Sequence, residues 1–91
     1  MTRLEENILS YQKKRFGKIN VPASYRKLLE EVGELGEALI KNDKRNIEEE
    51  IGDVGMLLAT IALAKHEYQS LSVAIATSLE KAKRRFKTVT P

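Results

Sequence analysis

Leu28-Leu29-Glu30-Glu31-Val32-Gly33-Glu34-Leu35-Gly36-Glu37-Ala38-Leu39 returns nineteen positions later as Ile47-Glu48-Glu49-Glu50-Ile51-Gly52-Asp53-Val54-Gly55-Met56-Leu57-Leu58. Both copies put an acid at the fourth and seventh positions and a glycine at the sixth and ninth. Packing alone gives no reason to keep acids and glycines in step. The repeat predicts two helices that each offer a pair of carboxylates, and four carboxylates brought together point to a hard divalent cation.

In each copy the apolar residues fall at i, i+4, i+7 and i+11: Leu28, Val32, Leu35 and Leu39, then Ile47, Ile51, Val54 and Leu58. At about 100° per residue they form one narrow stripe. Glu31 stands about 60° from it and Glu34 about 120°, on the same side, and Glu50 and Asp53 hold the matching places on the next helix. These four acids are therefore expected at the edge of the seam between two helices, with Glu30 and Glu49 turned away. The short break at Asn42-Asp43 makes the two helices antiparallel neighbours. Gly33, Gly36, Gly52 and Gly55 each cost about 1 kcal/mol relative to alanine inside a helix. A close approach of backbones or of a bulky ligand, or tight helix packing, is the expected compensation.

Helical periodicity continues along the chain. Leu4, Ile8 and Tyr11 mark a first helix running to about Phe16 and ended by Gly17, followed by a loop at Asn20-Val21-Pro22. Ser24 is the expected N-cap of the second helix, which reaches Lys41. Asp43 is the expected N-cap of the third, which runs to about His66. A fourth covers Leu71 to Phe86 with Ile75, Leu79, Ala82 and Phe86 on one face, and Thr88 to Pro91 form a loose tail. No strand alternation and no glycine-rich phosphate loop is present. The expectation is a single all-α domain over residues 1–91, a four-helix bundle of antiparallel helices.

A 91-residue chain has a thin core, so self-association is the default. The absence of cysteine excludes disulfides and thiolate metal sites and fits a reducing compartment. No apolar run approaches the roughly 20 residues of a membrane span, and Met1 to Glu6 carry no signal-peptide stretch, so the expected location is the cytoplasm. Residues 28–53 hold nine acids and three bases, residues 1–27 hold seven bases and two acids, and residues 54–91 hold six bases and two acids. An acidic centre between basic flanks suits a metal together with a phosphorylated ligand. His66 is the only histidine and lies outside the repeat, which argues against a di-iron carboxylate bundle with its Glu-x-x-His pairs.

Glu30-Glu31-x-x-Glu34, a fifteen-residue gap, and Glu50-x-x-Asp53 resemble the signature of the all-α nucleoside triphosphate pyrophosphatases of the MazG-like group. Gly52-Asp53-Val54 and Lys81 with Arg84-Arg85-Phe86 resemble that family's third and fourth helices, so the likeness covers roughly residues 4–87. It implies a helical bundle, Mg²⁺ dependence with Mn²⁺ as a substitute, a homodimer or homotetramer, and hydrolysis of (deoxy)nucleoside triphosphates to monophosphate and pyrophosphate, with nucleotide-pool house-cleaning as a use. It further implies that Glu31, Glu34, Glu50 and Asp53 are metal ligands, that Glu30 assists them or orients water, and that Lys81 and Arg85 contact the triphosphate. Leu79 stands where some members carry asparagine, and Asn46 where some carry lysine. Val54-Gly55-Met56-Leu57-Leu58 does not match the run typical of the related phosphoribosyl-ATP pyrophosphatases.

The alternative from another class is a non-enzymatic helical module that binds nucleic acid or a protein partner. It would use the basic run Lys81 to Lys87 as its contact and treat the acids as a solvated face. The duplicated acid spacing favours the nucleotide enzyme over nucleic-acid binding.

Overall fold

Local signals bound each helix in the computed structural model, which describes residues 2–65 and 70–86. Helix α1 (Arg3–Phe16) starts in a capping box: Thr2 Oγ1 accepts from the Glu5 N–H, and the Glu5 carboxylate accepts from the Thr2 N–H. It stops at Gly17, whose φ of 75° is in the region glycine tolerates. Helix α2 (Val21–Lys41) begins earlier than the sequence suggested. Its cap is Asn20, not Ser24: the Asn20 Oδ1 accepts from the Ala23 N–H at 3.0 Å, and Pro22 lies in the first turn. Asparagine is as good a cap as serine, and a proline in the first turn gives up an N–H that has no helical partner there.

Asn42, left-handed at φ 54°, closes α2. Asp43 then caps α3 (Lys44–Lys65) by accepting from the Asn46 N–H at 3.3 Å, as expected. Helix α4 (Leu71–Phe86) has the expected bounds and starts at Ser70, whose Oγ accepts from the Val73 N–H. The protein is all-α. α2 and α3 form the expected antiparallel hairpin, and α3 also carries α1 and α4 against it, with less contact. The chain measures 49 × 38 × 23 Å, so its least dimension is about two helix diameters. Among the described residues no helix is long and apolar enough to cross a membrane.

The inward faces of α2 and α3 differ from the expected stripe. On α2 the residues turned inward include Ser24, Leu28, Glu31, Leu35 and Ala38; on α3 they include Ile47, Glu50, Val54, Leu57 and Ile61. Glu31 and Glu50 thus lie in the seam itself. Val32, Leu39, Ile51 and Leu58, assigned to the seam by periodicity, are instead exposed. Periodicity ranks a glutamate below a valine for burial, so it turned each helix too far toward its apolar side.

Only Ala38, Ala59 and Leu63 are buried apolar side chains among the described residues. Of the residues expected on the apolar face of α4, Ile75, Leu79 and Phe86 are exposed. The four helical glycines do not serve packing within the chain either, since a Cβ built on any of them meets nothing within 4 Å. His66 and the tail from Thr88 to Pro91 lie outside the described residues.

Candidate functional site

The hairpin brings together three of the four repeat acids. One carboxylate oxygen each from Glu31, Glu50 and Asp53 lies within 4.8 Å of the other two. Glu31 is buried, Glu50 half-buried and Asp53 exposed, so the group opens to solvent on the Asp53 side. The i, i+3 spacing of Glu50 and Asp53 puts both on one face of α3, and the antiparallel partner presents Glu31 opposite. Glu34 is exposed and outside that mutual group, at its rim.

Crowded carboxylates must be neutralised. Sharing a proton with Glu31, burial, and the nearby charges of Glu31, Glu34 and Asp53 push Glu50 up to about 7. The same shared proton, with help from Lys27, holds Glu31 below the ordinary carboxylate range. Glu34 is raised, chiefly by its closeness to Glu31. Glu31 Oε2 and Glu50 Oε2 are buried, and among the described residues no donor reaches either of them. Buried charged oxygens are normally hydrogen-bonded or paired. Since none of the described residues supplies a donor, a bound proton or a cation is what would satisfy them. An all-oxygen set of this kind suits Mg²⁺ or Mn²⁺.

The cation that does touch the group comes from the chain itself. Lys27 Nζ lies 3.3 Å from Glu31 Oε1 and 3.3 Å from Glu30 Oε2. Its pKa is raised by those contacts, that with Glu31 first. Glu30 is thereby held on the exposed side of α2, away from the three acids. Lys81 and Arg85 are exposed near the end of α4. Among the described residues, no hydrogen bond or ion pair joins either of them to the acids. Sequence reasoning passed over Lys27, although an i, i+4 lysine–glutamate pair is a legible helix signal.

It also passed over two other polar contacts. Glu5 is buried at the start of α4: its Oε1 accepts from the Ser72 hydroxyl at 2.6 Å and its Oε2 from the Ser72 N–H at 3.4 Å. Those bonds, that to the Ser72 hydroxyl foremost, lower its pKa to about 2 despite burial. The Thr2-x-x-Glu5 spacing is a readable capping signal, but nothing local to it points to Ser72. Gln12 Nε2 donates to Thr60 Oγ1 at 3.3 Å, joining α1 to α3 beside Lys27.

Over residues 22–90 the chain matches the family model of the MazG nucleotide pyrophosphohydrolase domain. Comparison with curated proteins and with solved structures gave no match. The matched stretch holds both copies of the repeat and the whole of α4, and leaves α1 outside. It spans well over half of the 91 residues, and its acids are those the hairpin gathers. The chain belongs to the MazG nucleotide pyrophosphohydrolase domain family.

Proposed function

We propose that the chain is a Mg²⁺-dependent pyrophosphohydrolase that converts (deoxy)nucleoside triphosphates to monophosphate and pyrophosphate, with Mn²⁺ able to replace Mg²⁺. The observation that carries this reading is the pair of buried, partnerless oxygens on Glu31 and Glu50 beside Asp53. A structural cluster would satisfy them from within the chain. In this reading Glu31, Glu50 and Asp53 hold the ion, and Glu34 joins from the rim. When bound, the ion supplies charge neutralisation for the phosphates and a more acidic water.

The reaction adds water across the anhydride between the α and β phosphates, and the P–O bond to the leaving pyrophosphate breaks. The pKa of Glu50 is pushed up to about 7 without metal, so Glu50 would have to give up its proton to serve as a ligand near neutrality. Glu30, exposed one residue before Glu31, orients water from outside the ligand set. Lys81 and Arg85 donate to the phosphates that leave, since charge-assisted bonds to a departing polyanion stabilise the transition state. Removing unwanted triphosphates from the cytoplasmic nucleotide pool is the use we assign to this activity.

The outward residues Val32 and Leu39 repeat as Ile51 and Leu58, and the α4 face adds Ile75, Leu79 and Phe86. So much exposed apolar surface, beside only three buried apolar side chains among the described residues, supports a homodimer or homotetramer. Light scattering of the active protein tests this, and a stable active monomer overturns it. The enzymatic reading is tested by pyrophosphate release from a panel of ribo- and deoxyribonucleoside triphosphates with Mg²⁺. Failure to release pyrophosphate from any of them, with salt-sensitive binding to DNA or RNA instead, replaces it by the binding-module reading.

A further inference from the structure

We propose that Glu5 is a positioning residue for the reaction: its grip on Ser72 sets the direction of α4 and so brings Lys81 and Arg85 to the triphosphate. The inference rests on the nucleotide reading above and adds what aims the two cations.

Glu5 is buried, and its two oxygens meet two different groups of Ser72. Oε1 accepts from the hydroxyl at 2.6 Å and Oε2 from the N–H at 3.4 Å. Bonds to both ends of one planar carboxylate fix an orientation as well as a distance. The N–H belongs to the first turn of α4, where such groups lack a partner in their own helix and a negative charge is favoured. The Ser72 hydroxyl gives its one proton to Glu5, so the Ser70 hydroxyl, 3.0 Å away, is the donor between the two serines. Ser70 Oγ accepts in turn from the Val73 N–H. From α1's side, Thr2 donates to Glu5 Oε1 through its N–H and its hydroxyl, at 3.1 and 3.0 Å. The starts of α1 and α4 are thus locked together.

This lock stands beside the acids. Glu5, Ser72 and Asp53 line one cleft of about 560 Å³ between α1, α3 and α4. Beyond the cleft α4 runs on with Ile75, Leu79, Lys81 and Arg85 exposed, and it makes less contact with α3 than α2 does. Its direction is therefore set near its first turn. At 1.5 Å per residue, Lys81 stands about 13 Å and Arg85 about 20 Å along the axis from Ser72, so a tilt of about 10° there moves them by roughly 2 and 3 Å. A misplacement of about 1 Å costs on the order of 100-fold in rate.

The test uses the full chain with Mg²⁺ and nucleoside triphosphates, below the melting temperature of every variant. Ser72→Ala should lower kcat/KM by on the order of 10- to 100-fold, with the Mg²⁺-induced thermal shift without nucleotide unaltered. Ser72→Thr, which keeps the hydroxyl and the N–H, should recover most of that loss. In a chain already carrying Arg85→Ala, the cost of Ser72→Ala should shrink by more than about 2-fold, the lower end of coupling between residues that act together. Sites this far apart otherwise act independently, so a side chain that only added stability gives no such coupling. The chain has no cysteine, so Lys41→Cys with Glu80→Cys places two spin labels, and diluting labelled chain into unlabelled chain keeps the measured distance within one copy. Ser72→Ala should shift or broaden that distance distribution. If Ser72→Ala does not fold, Glu5→Gln, which keeps the volume and one acceptor oxygen, replaces it in every arm under the same criteria.

Wild-type kcat/KM in Ser72→Ala, a loss that multiplies in full with that of Arg85→Ala, or an unchanged distance distribution each overturns the proposal and leaves the pyrophosphatase reading standing. If the wild type releases no pyrophosphate, that reading fails instead, and the lock is judged by the distances and by calorimetric binding of inorganic tripolyphosphate. An altered distribution with weaker binding in Ser72→Ala supports it, and either one unchanged refutes it.

Discussion

Glu5 and Glu31 are almost equally hidden, at 5% and 7% exposure, yet their surroundings differ in kind. Glu5 has both oxygens engaged by Ser72, and Oε1 also by Thr2. Its pKa falls to about 2, chiefly through the Ser72 hydroxyl. Glu31 faces Glu50 across the hairpin, each with one buried oxygen that no donor among the described residues reaches, and Glu50 rises to about 7. The first arrangement is complete and ties α1 to α4. The second is incomplete and costs the free chain stability. A carboxylate buried for architecture brings its donors with it, whereas one buried for a ligand leaves an oxygen for the ligand.

The largest expected effect breaks the incomplete site. Glu50→Gln and Asp53→Asn should each abolish measurable pyrophosphate release with the helical circular dichroism unchanged, a loss beyond the roughly 10–100-fold caused by removing an outer-shell partner of a metal ligand. Retained turnover in both variants would make the acids structural. Next come the two cations proposed to meet the triphosphate. Lys81→Ala and Arg85→Ala should each lower kcat/KM by on the order of ten- to a thousand-fold, while the Mg²⁺ thermal shift without nucleotide stays as in the wild type. Wild-type turnover in both removes their phosphate role.

A smaller effect separates the two sites by sign. Ser72→Ala removes a hydrogen bond to a charged acceptor and should cost about 1.5–3 kcal/mol in chemical denaturation. Metal-free Glu50→Gln should instead raise the melting temperature or leave it unchanged, because it removes repulsion. Strong destabilisation by Glu50→Gln would place both sites in the same structural class. Added Mg²⁺ or Mn²⁺ should stabilise the wild type by binding the folded form.

The gentlest contrast lies in the pH dependence of metal-free stability. Glu5 has a folded pKa of about 2 against an ordinary 4.5. Its contribution is therefore present above 4.5 and is lost as pH falls toward 2. Glu50 has a folded pKa of about 7 against 4.5. The folded chain then binds more proton than the unfolded one across that window, and stability drops as pH rises from 4.5 to 7. The melting temperature should peak in weak acid and decline toward neutrality, and saturating Mg²⁺ should abolish the neutral-side decline only. A metal-independent profile contradicts the assignment of Glu50.

Much of the fold was legible because its signals are local. Asn42-Asp43, the bounds of α4 and the antiparallel hairpin follow from caps and periodicity within a few residues. The start of α2 was misplaced because Asn20 and Ser24 are both good caps, and only the folded backbone chooses between them. The gathering of Glu31, Glu50 and Asp53 was legible because the repeat encodes it twice. Their depth was not, since an apolar stripe drawn from periodicity treats every glutamate as a surface residue.

By itself the sequence determined an all-α chain, a hairpin of two equivalent helices, and acids in register upon them, since each depends on spacing along the chain alone. Tertiary structure decided which acids are buried and which stays at the rim. It also decided that Lys27 is the cation against Glu31, that Glu5 closes on Ser72, and that Gln12 is anchored by Thr60. Glu5–Ser72 and Gln12–Thr60 join residues 67 and 48 positions apart. Helix rotation and long-range pairing are set by what all the helices together can bury, and no single stretch of the chain carries that information.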